Sequence, residues 1–194
     1  ERLLHITGGK LELRKCFYYL MCWKFTTEGE PKLMTLDDLK HVKVRLEDTQ
    51  SGTVKRIKQM DCDEAHCTLG VWPAPSGNTT IQFEKLLEKS NLFARIIRNS
   101  RLPRILAETA YWMLYLPMML YPLVATFLTR LQLHKVESGA LAAILSASGY
   151  NSNFPRAVVY GPIRLGGTGF RNLFTEQGVQ QVLCLIRHLR SHSA

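Results

Sequence analysis

The chain has 194 residues, 46% of them apolar and 21% charged, values that exclude a disordered chain and allow one good core or a small lobe packed on a larger one. Its net charge is +9: residues 79–194 hold 13 Lys+Arg against 5 Asp+Glu, and the first 78 residues hold 12 against 11. A one-sided basic excess favours a polyanion such as nucleic acid, or an anionic membrane surface. The five cysteines, Cys16, Cys22, Cys62, Cys67 and Cys184, are odd in number and irregular in spacing, which excludes a fully paired disulfide framework and favours reduced thiols.

In chain order, Lys10 to Phe25 is rich in aromatic and strand-favouring residues after a Gly8-Gly9 turn, and reads as a strand. Glu28 to Pro31 is a second turn. Val42, Val44 and Leu46 alternate with Lys43, Arg45 and Glu47, so a half-buried strand is expected, turning at Gln50 to Gly52 into a hairpin partner over Thr53 to Gln59. Thr68 to Trp72 reads as a short apolar strand, stopped by the breaker Pro73 to Gly77. Residues 1–77 are therefore expected to form a small antiparallel β-sheet.

From Asn78 the period becomes helical. Asn78, Thr79 or Thr80 can cap a first helix that turns Phe83, Leu86, Leu87, Ser90, Ala94 and Ile97 inward and leaves Lys85, Lys89, Arg95 and Arg98 outside. Further helices are expected over about 103–116, 123–134 and 138–148, with Gly149 as a stop. Ala157 to Tyr160 reads as extended. A last helix over about 175–190 is expected to bury Val179, Val182, Leu183 and Ile186. Residues 78–194 thus form a helical subdomain, and the fold class is α+β. Ala110 to Leu128 carries no charge and reaches membrane-span length, but Pro117 and Pro122 fall within it, and short buried helices suit it better.

Candidate chemistry is sparse. Cys62, His66 and Cys67, with Cys16 and Cys22, invite a zinc reading, but the intervals are too irregular for the usual knuckles, and no metal site is expected. Gly161 to Gly169 lacks the Gly-Lys-Ser/Thr ending of a phosphate loop and reads as turn glycines. Asp37-Asp38 sits in a polar turn context and reads as solvated loop.

Taken together, Gly8-Gly9 followed by a strand with Lys15, Leu69-Gly70 before Val71-Trp72, Tyr115-Leu116-Pro117 with Tyr121-Pro122-Leu123, and Gly166-Gly167-Thr168-Gly169-Phe170 with Leu173 resemble, in order, the end of the palm and the thumb of non-LTR (LINE-type) retrotransposon reverse transcriptases. The family's catalytic aspartate motifs are absent, and about 50 residues separate the two palm elements. The resemblance implies that Lys15 approaches the incoming nucleotide's triphosphate, that Leu69 and Gly70 act as primer grip, and that Lys85, Lys89, Arg95, Arg98, Arg101 and Arg104 face the phosphates of an RNA/DNA template–primer duplex. It further implies a fragment inactive alone, with Trp72, Trp112 and Tyr115 as candidates to stack on bases and core packing as their ordinary alternative. Such a fragment holds no cofactor and is partnered by the catalytic palm and fingers of the same polyprotein; magnesium belongs to the parent enzyme. Both ends are expected to be cuts in a longer polypeptide, working in nucleus or cytoplasm without a membrane. A non-catalytic nucleic-acid-binding module, or a membrane-associated helical protein, is the alternative.

Overall fold

The computed structural model describes residues 16–39, 44–47 and 54–191. The fold is α+β, as expected. It divides into two compact units: one runs to Ala65 and takes in Ala74–Asn78, and the other comprises His66–Pro73 and the chain from Thr79 onward.

Among the described residues, the first unit holds six three-residue strands in three pairs. Strands β2 (Trp23–Phe25) and β3 (Pro31–Leu33) form a hairpin about the turn expected at Glu28 to Pro31, with Gly29 at φ +82° and its N–H donating to Thr26 O at 2.9 Å. Strands β4 (Arg45–Glu47) and β5 (Val54–Arg56) pair antiparallel, Arg45 opposite Arg56. The expected single antiparallel sheet is corrected by the third pair. Strand β1 (Phe17–Tyr19) runs parallel to β6 (Lys58–Met60), Phe17 opposite Lys58. Alternation marks a strand but carries no information about a partner some forty residues away in the chain, and a parallel pair always needs such a crossover.

The second unit is helical. Helix α1 (Thr80–Ser100) buries Gln82, Leu86, Ser90, Phe93, Ala94 and Ile97. Helix α2 (Arg104–Ala110) passes through a π turn (Tyr111–Tyr115) into α3 (Leu116–Leu123). The prolines do not break this run where a break was expected. Pro117 has no N–H, and its ring would press on the carbonyl four residues earlier in an ordinary turn. The π turn widens the helix just ahead of it, with Leu116 N–H bonded back to Tyr111 O. Pro122 falls one residue before the helix ends.

A single helix α4 (Arg130–Ala147) replaces the two expected at 123–134 and 138–148. It starts at a capping box in which Thr129 and Gln132 exchange side-chain-to-backbone bonds. Ser138 and Gly139 lie inside it, and its buried stripe runs unbroken through Leu133, Val136, Glu137, Ala140, Leu141 and Ile144. Gly149 ends it at φ +80°, with Tyr150 N–H on Leu145 O at 2.8 Å. The extended segment expected at 157–160 is instead a short helix α5 (Arg156–Val159). The glycine stretch closes on itself: Gly169 N–H donates to Gly161 O at 2.9 Å, and a Cβ on Gly167 would collide with Gly161 O. These are turn glycines, as their sequence suggested.

Tyr111, Tyr115, Phe93 and Phe170 pack at the centre, with Tyr111 edge-on to Phe170 at 4.6 Å and Phe93 at 5.0 Å from Tyr115. The last helix, α6 (Leu173–Ser191), buries only Leu173 and Gln177. Val179, Val182, Leu183 and Ile186 were expected inside and are exposed, Val182 at 55%. Among the described residues, no helix is long and apolar enough to cross a membrane.

Candidate nucleic-acid interface

Leu69 and Gly70 do not sit in a strand. They are the two central residues of a tight turn in which Thr68 N–H donates to Val71 O at 2.8 Å and Val71 N–H returns to Thr68 O at 3.0 Å. Both have positive φ, +52° and +84°, the signature of a mirror-image hairpin turn. Glycine takes this conformation freely. Leucine pays about 1–2 kcal/mol for it because its Cβ crowds the next carbonyl. The Leu69 side chain is 85% exposed, so no burial offsets that cost. The turn is fixed to the helical unit, for the buried Gln82 of α1 accepts from Trp72 N–H at 2.8 Å. Gly70 lies beside the exposed Tyr121 of α3, where an added Cβ would make ordinary contact with the ring at 4.0 Å.

The six expected phosphate-facing cations all lie in the helical unit, but not on one stripe. At about 100° per residue, Lys85 and Lys89 flank one side of the buried face of α1, Arg98 flanks the other, and Arg95 points away from the core. Lys85 is paired with Glu88 at 3.0 Å. Arg98 donates to Gly139 O at 3.3 Å. Arg101 ends α1 at φ +47°. Arg104 pairs with Glu108 at 2.9 Å, bonds the Tyr150 hydroxyl, and lies 4.8 Å over the Tyr150 ring. Among the described residues, Lys89, Arg95, Arg98 and Arg101 form no ion pair. Lys15 lies outside the described residues.

Two of these cations meet. Arg98 and Arg101 line an open cavity of about 460 Å³ between α1 and α4, closed by Ile97, Leu102, Ala143, Ala147 and the serines Ser146 and Ser152. The Leu69–Gly70 turn is held at Gln82, sixteen residues before Arg98, which is about 24 Å along the helix. The turn and the cavity therefore stand at opposite ends of α1. No protein-family model, curated protein or solved structure matches this chain.

The remaining candidates fall into place. Tyr115 is core: its hydroxyl lies 3.2 Å from Ser90 Oγ, and burial pushes it well above the usual phenol range. Trp112 is half exposed and stacks parallel on Phe170 at 6.4 Å. Asp38 is engaged by Lys24 at 2.8 Å, and this bond, with those from Thr35, lowers its carboxyl to about 2. Among the described residues, no three His, Cys, Asp or Glu side chains gather as a metal-binding group.

Glu137 escaped notice in the sequence. It is 4% exposed on α4, accepts from the Tyr160 hydroxyl and Leu173 N–H, and is raised to about 7, chiefly by burial. Tyr160 beside it is pushed up to about 12, again mainly by burial. The spacing did carry a signal: Leu133 and Leu141, four residues to either side, put position 137 on the inner face.

Proposed function

We propose that this chain is the duplex-holding part of an RNA-directed DNA polymerase of a LINE-type element, without the residues that perform nucleotidyl transfer. The observation that carries this reading is the Leu69–Gly70 turn. A strained, exposed hairpin tip, anchored on a basic helical unit, presents open backbone of the kind that can approach a primer strand closely. Helix α1 spans about 30 Å, enough to follow several nucleotides of a strand. Lys89, Arg95, Arg98 and Arg101 on its different sides are available to phosphates without having to leave a carboxylate.

On this reading the partners are an RNA/DNA template–primer duplex and the upstream palm and fingers. The compartment is nucleus or cytoplasm. Magnesium is held by the parent enzyme, and Lys15 approaches the nucleotide's triphosphate. The test is duplex binding by the purified chain, read by fluorescence anisotropy across a salt series. An RNA–DNA hybrid is expected to bind with a steep negative dependence of log K on log salt. Lys89→Ala with Arg95→Ala is expected to lessen that slope by about 2, since each phosphate contact contributes about 0.9. No binding at low salt would end the proposal. A non-catalytic binding module would share the salt slope; a coding sequence upstream of Glu1 with an aspartate-pair motif separates the two.

A further inference from the structure

The cavity between the C-terminal parts of α1 and α4 has a composition that the Leu69–Gly70 turn does not explain. Its charged lining residues are Arg98 and Arg101, and no carboxylate lines it. Ser146 comes from α4 and Ser152 from the loop that follows, so two serines from other elements line the same cavity as the arginines. Arg98 is steadied by its bond to Gly139 O. The end of α1 carries the partial negative charge of its free carbonyls, which two full positive charges outweigh.

Arg101 is the second, independent observation. It occupies the left-handed position just past the helix end, where glycine is the residue that fits without strain. A fold selected for stability alone would place glycine there. The chain instead keeps an exposed arginine whose backbone is strained, whose side chain has no ion pair among the described residues, and which lines the cavity.

We propose that this cavity is a phosphate site, in which Arg98 and Arg101 grip a phosphate group by charge-assisted hydrogen bonds and Ser146 and Ser152 donate to its remaining oxygens. Its volume of about 460 Å³ leaves room for a phosphate that carries a sugar. The phosphate can come from a nucleic-acid backbone or from a free ion or mononucleotide. The site rests on the duplex-holding reading only for the first of these sources.

The experiment uses the full chain with inorganic phosphate as the probe, in buffers matched with chloride for ionic strength. Phosphate is expected to raise the Tm of the wild-type chain. Arg101→Gly is expected to have an unchanged or higher Tm in chloride, because the strain is relieved, and to lose the phosphate-induced rise. Arg98→Gln is expected to lose it as well. The proposal is overturned if phosphate leaves the wild-type Tm where chloride does, or if Arg101→Gly and Arg98→Gln respond to phosphate as the wild type does.

A second arm measures an RNA–DNA hybrid by anisotropy. A loss of affinity of about tenfold in Arg101→Gly assigns the phosphate to the backbone. An unchanged duplex affinity together with a lost phosphate response keeps the site and assigns it to a free ion or mononucleotide. A wild-type chain that responds to phosphate and binds no hybrid at any salt keeps the site and removes the duplex-holding reading.

Discussion

Glu137→Gln tests the internal electrostatics of the helical unit. In the folded chain Glu137 keeps its proton up to about pH 7, because burial disfavours the charged form more than the Tyr160 hydroxyl, Leu173 N–H and Arg156 favour it. Unfolded, the same carboxyl titrates near its ordinary value of 4.5. Between these two values the folded state binds the extra proton, so stability falls as pH rises. At about 1.4 kcal/mol per pH unit over that interval, the loss is about 3 kcal/mol, complete by about pH 8 and absent below about pH 4. Glutamine keeps an oxygen for the same donors and cannot ionise. Urea unfolding followed by circular dichroism at pH 5 and pH 8 should show the wild type losing about 2.5 kcal/mol more than the variant over that range. Equal losses in the two proteins would refute the assignment, whatever histidines and other groups contribute to both.

Three other substitutions follow from the same packing. Gln177→Ala removes both bonds that its buried amide makes to the N–H and C=O of Leu128, each 3.0 Å, and should cost about 2–4 kcal/mol in urea unfolding, with faster hydrogen exchange at the Leu128 amide. Ser148→Ala should raise stability by about 1 kcal/mol, since the Ser148 hydroxyl is buried without a hydrogen-bond partner among the described residues; a loss of that size would show that the hydroxyl is satisfied. At the hairpin tip the two positions should respond with opposite signs: Leu69→Gly is expected to gain about 1 kcal/mol and Gly70→Ala to lose about as much, read as shifts of the urea midpoint.

What the sequence made legible was local. The stripe of α1 is present in its spacing, and Leu86, Ser90, Ala94 and Ile97 are buried where that spacing puts them. Gln82 lies on the same face, and its bond from Trp72 N–H, which no spacing within α1 announces, makes its burial possible. The stripe of α6 was equally regular and yet lies open, because periodicity identifies a face and says nothing about whether another element covers it. Thr68 to Trp72 has the composition of a strand; only Gly70 hinted at a turn, and nothing in the composition announces a leucine at positive φ. Lys85, Lys89, Arg95 and Arg98 were legible by their position off the apolar stripe, whereas Arg101 and Arg104 came only with the family resemblance. The cavity that gathers Arg98 and Arg101 was not legible, because its serines arrive from α4 and from the loop beyond, and no spacing within α1 refers to them.

The widened turn at Tyr111–Tyr115 amounts to one residue more than the helix needs. It shifts the phase of everything after it, so the run from Arg104 to Leu123 carries two inner faces in succession, one through Ala107 and Tyr111 and the other through Leu116, Met119 and Leu123, with Tyr115 at the changeover. Losing a residue elsewhere in that run would rotate half of it by about 100° and turn core side chains into solvent. Losing one of Trp112, Met113 or Leu114 would instead rewind the turn to ordinary pitch and keep both faces inward, at the cost of setting the Pro117 ring against a carbonyl. Natural length variation in this helix is therefore expected to collect at those three positions.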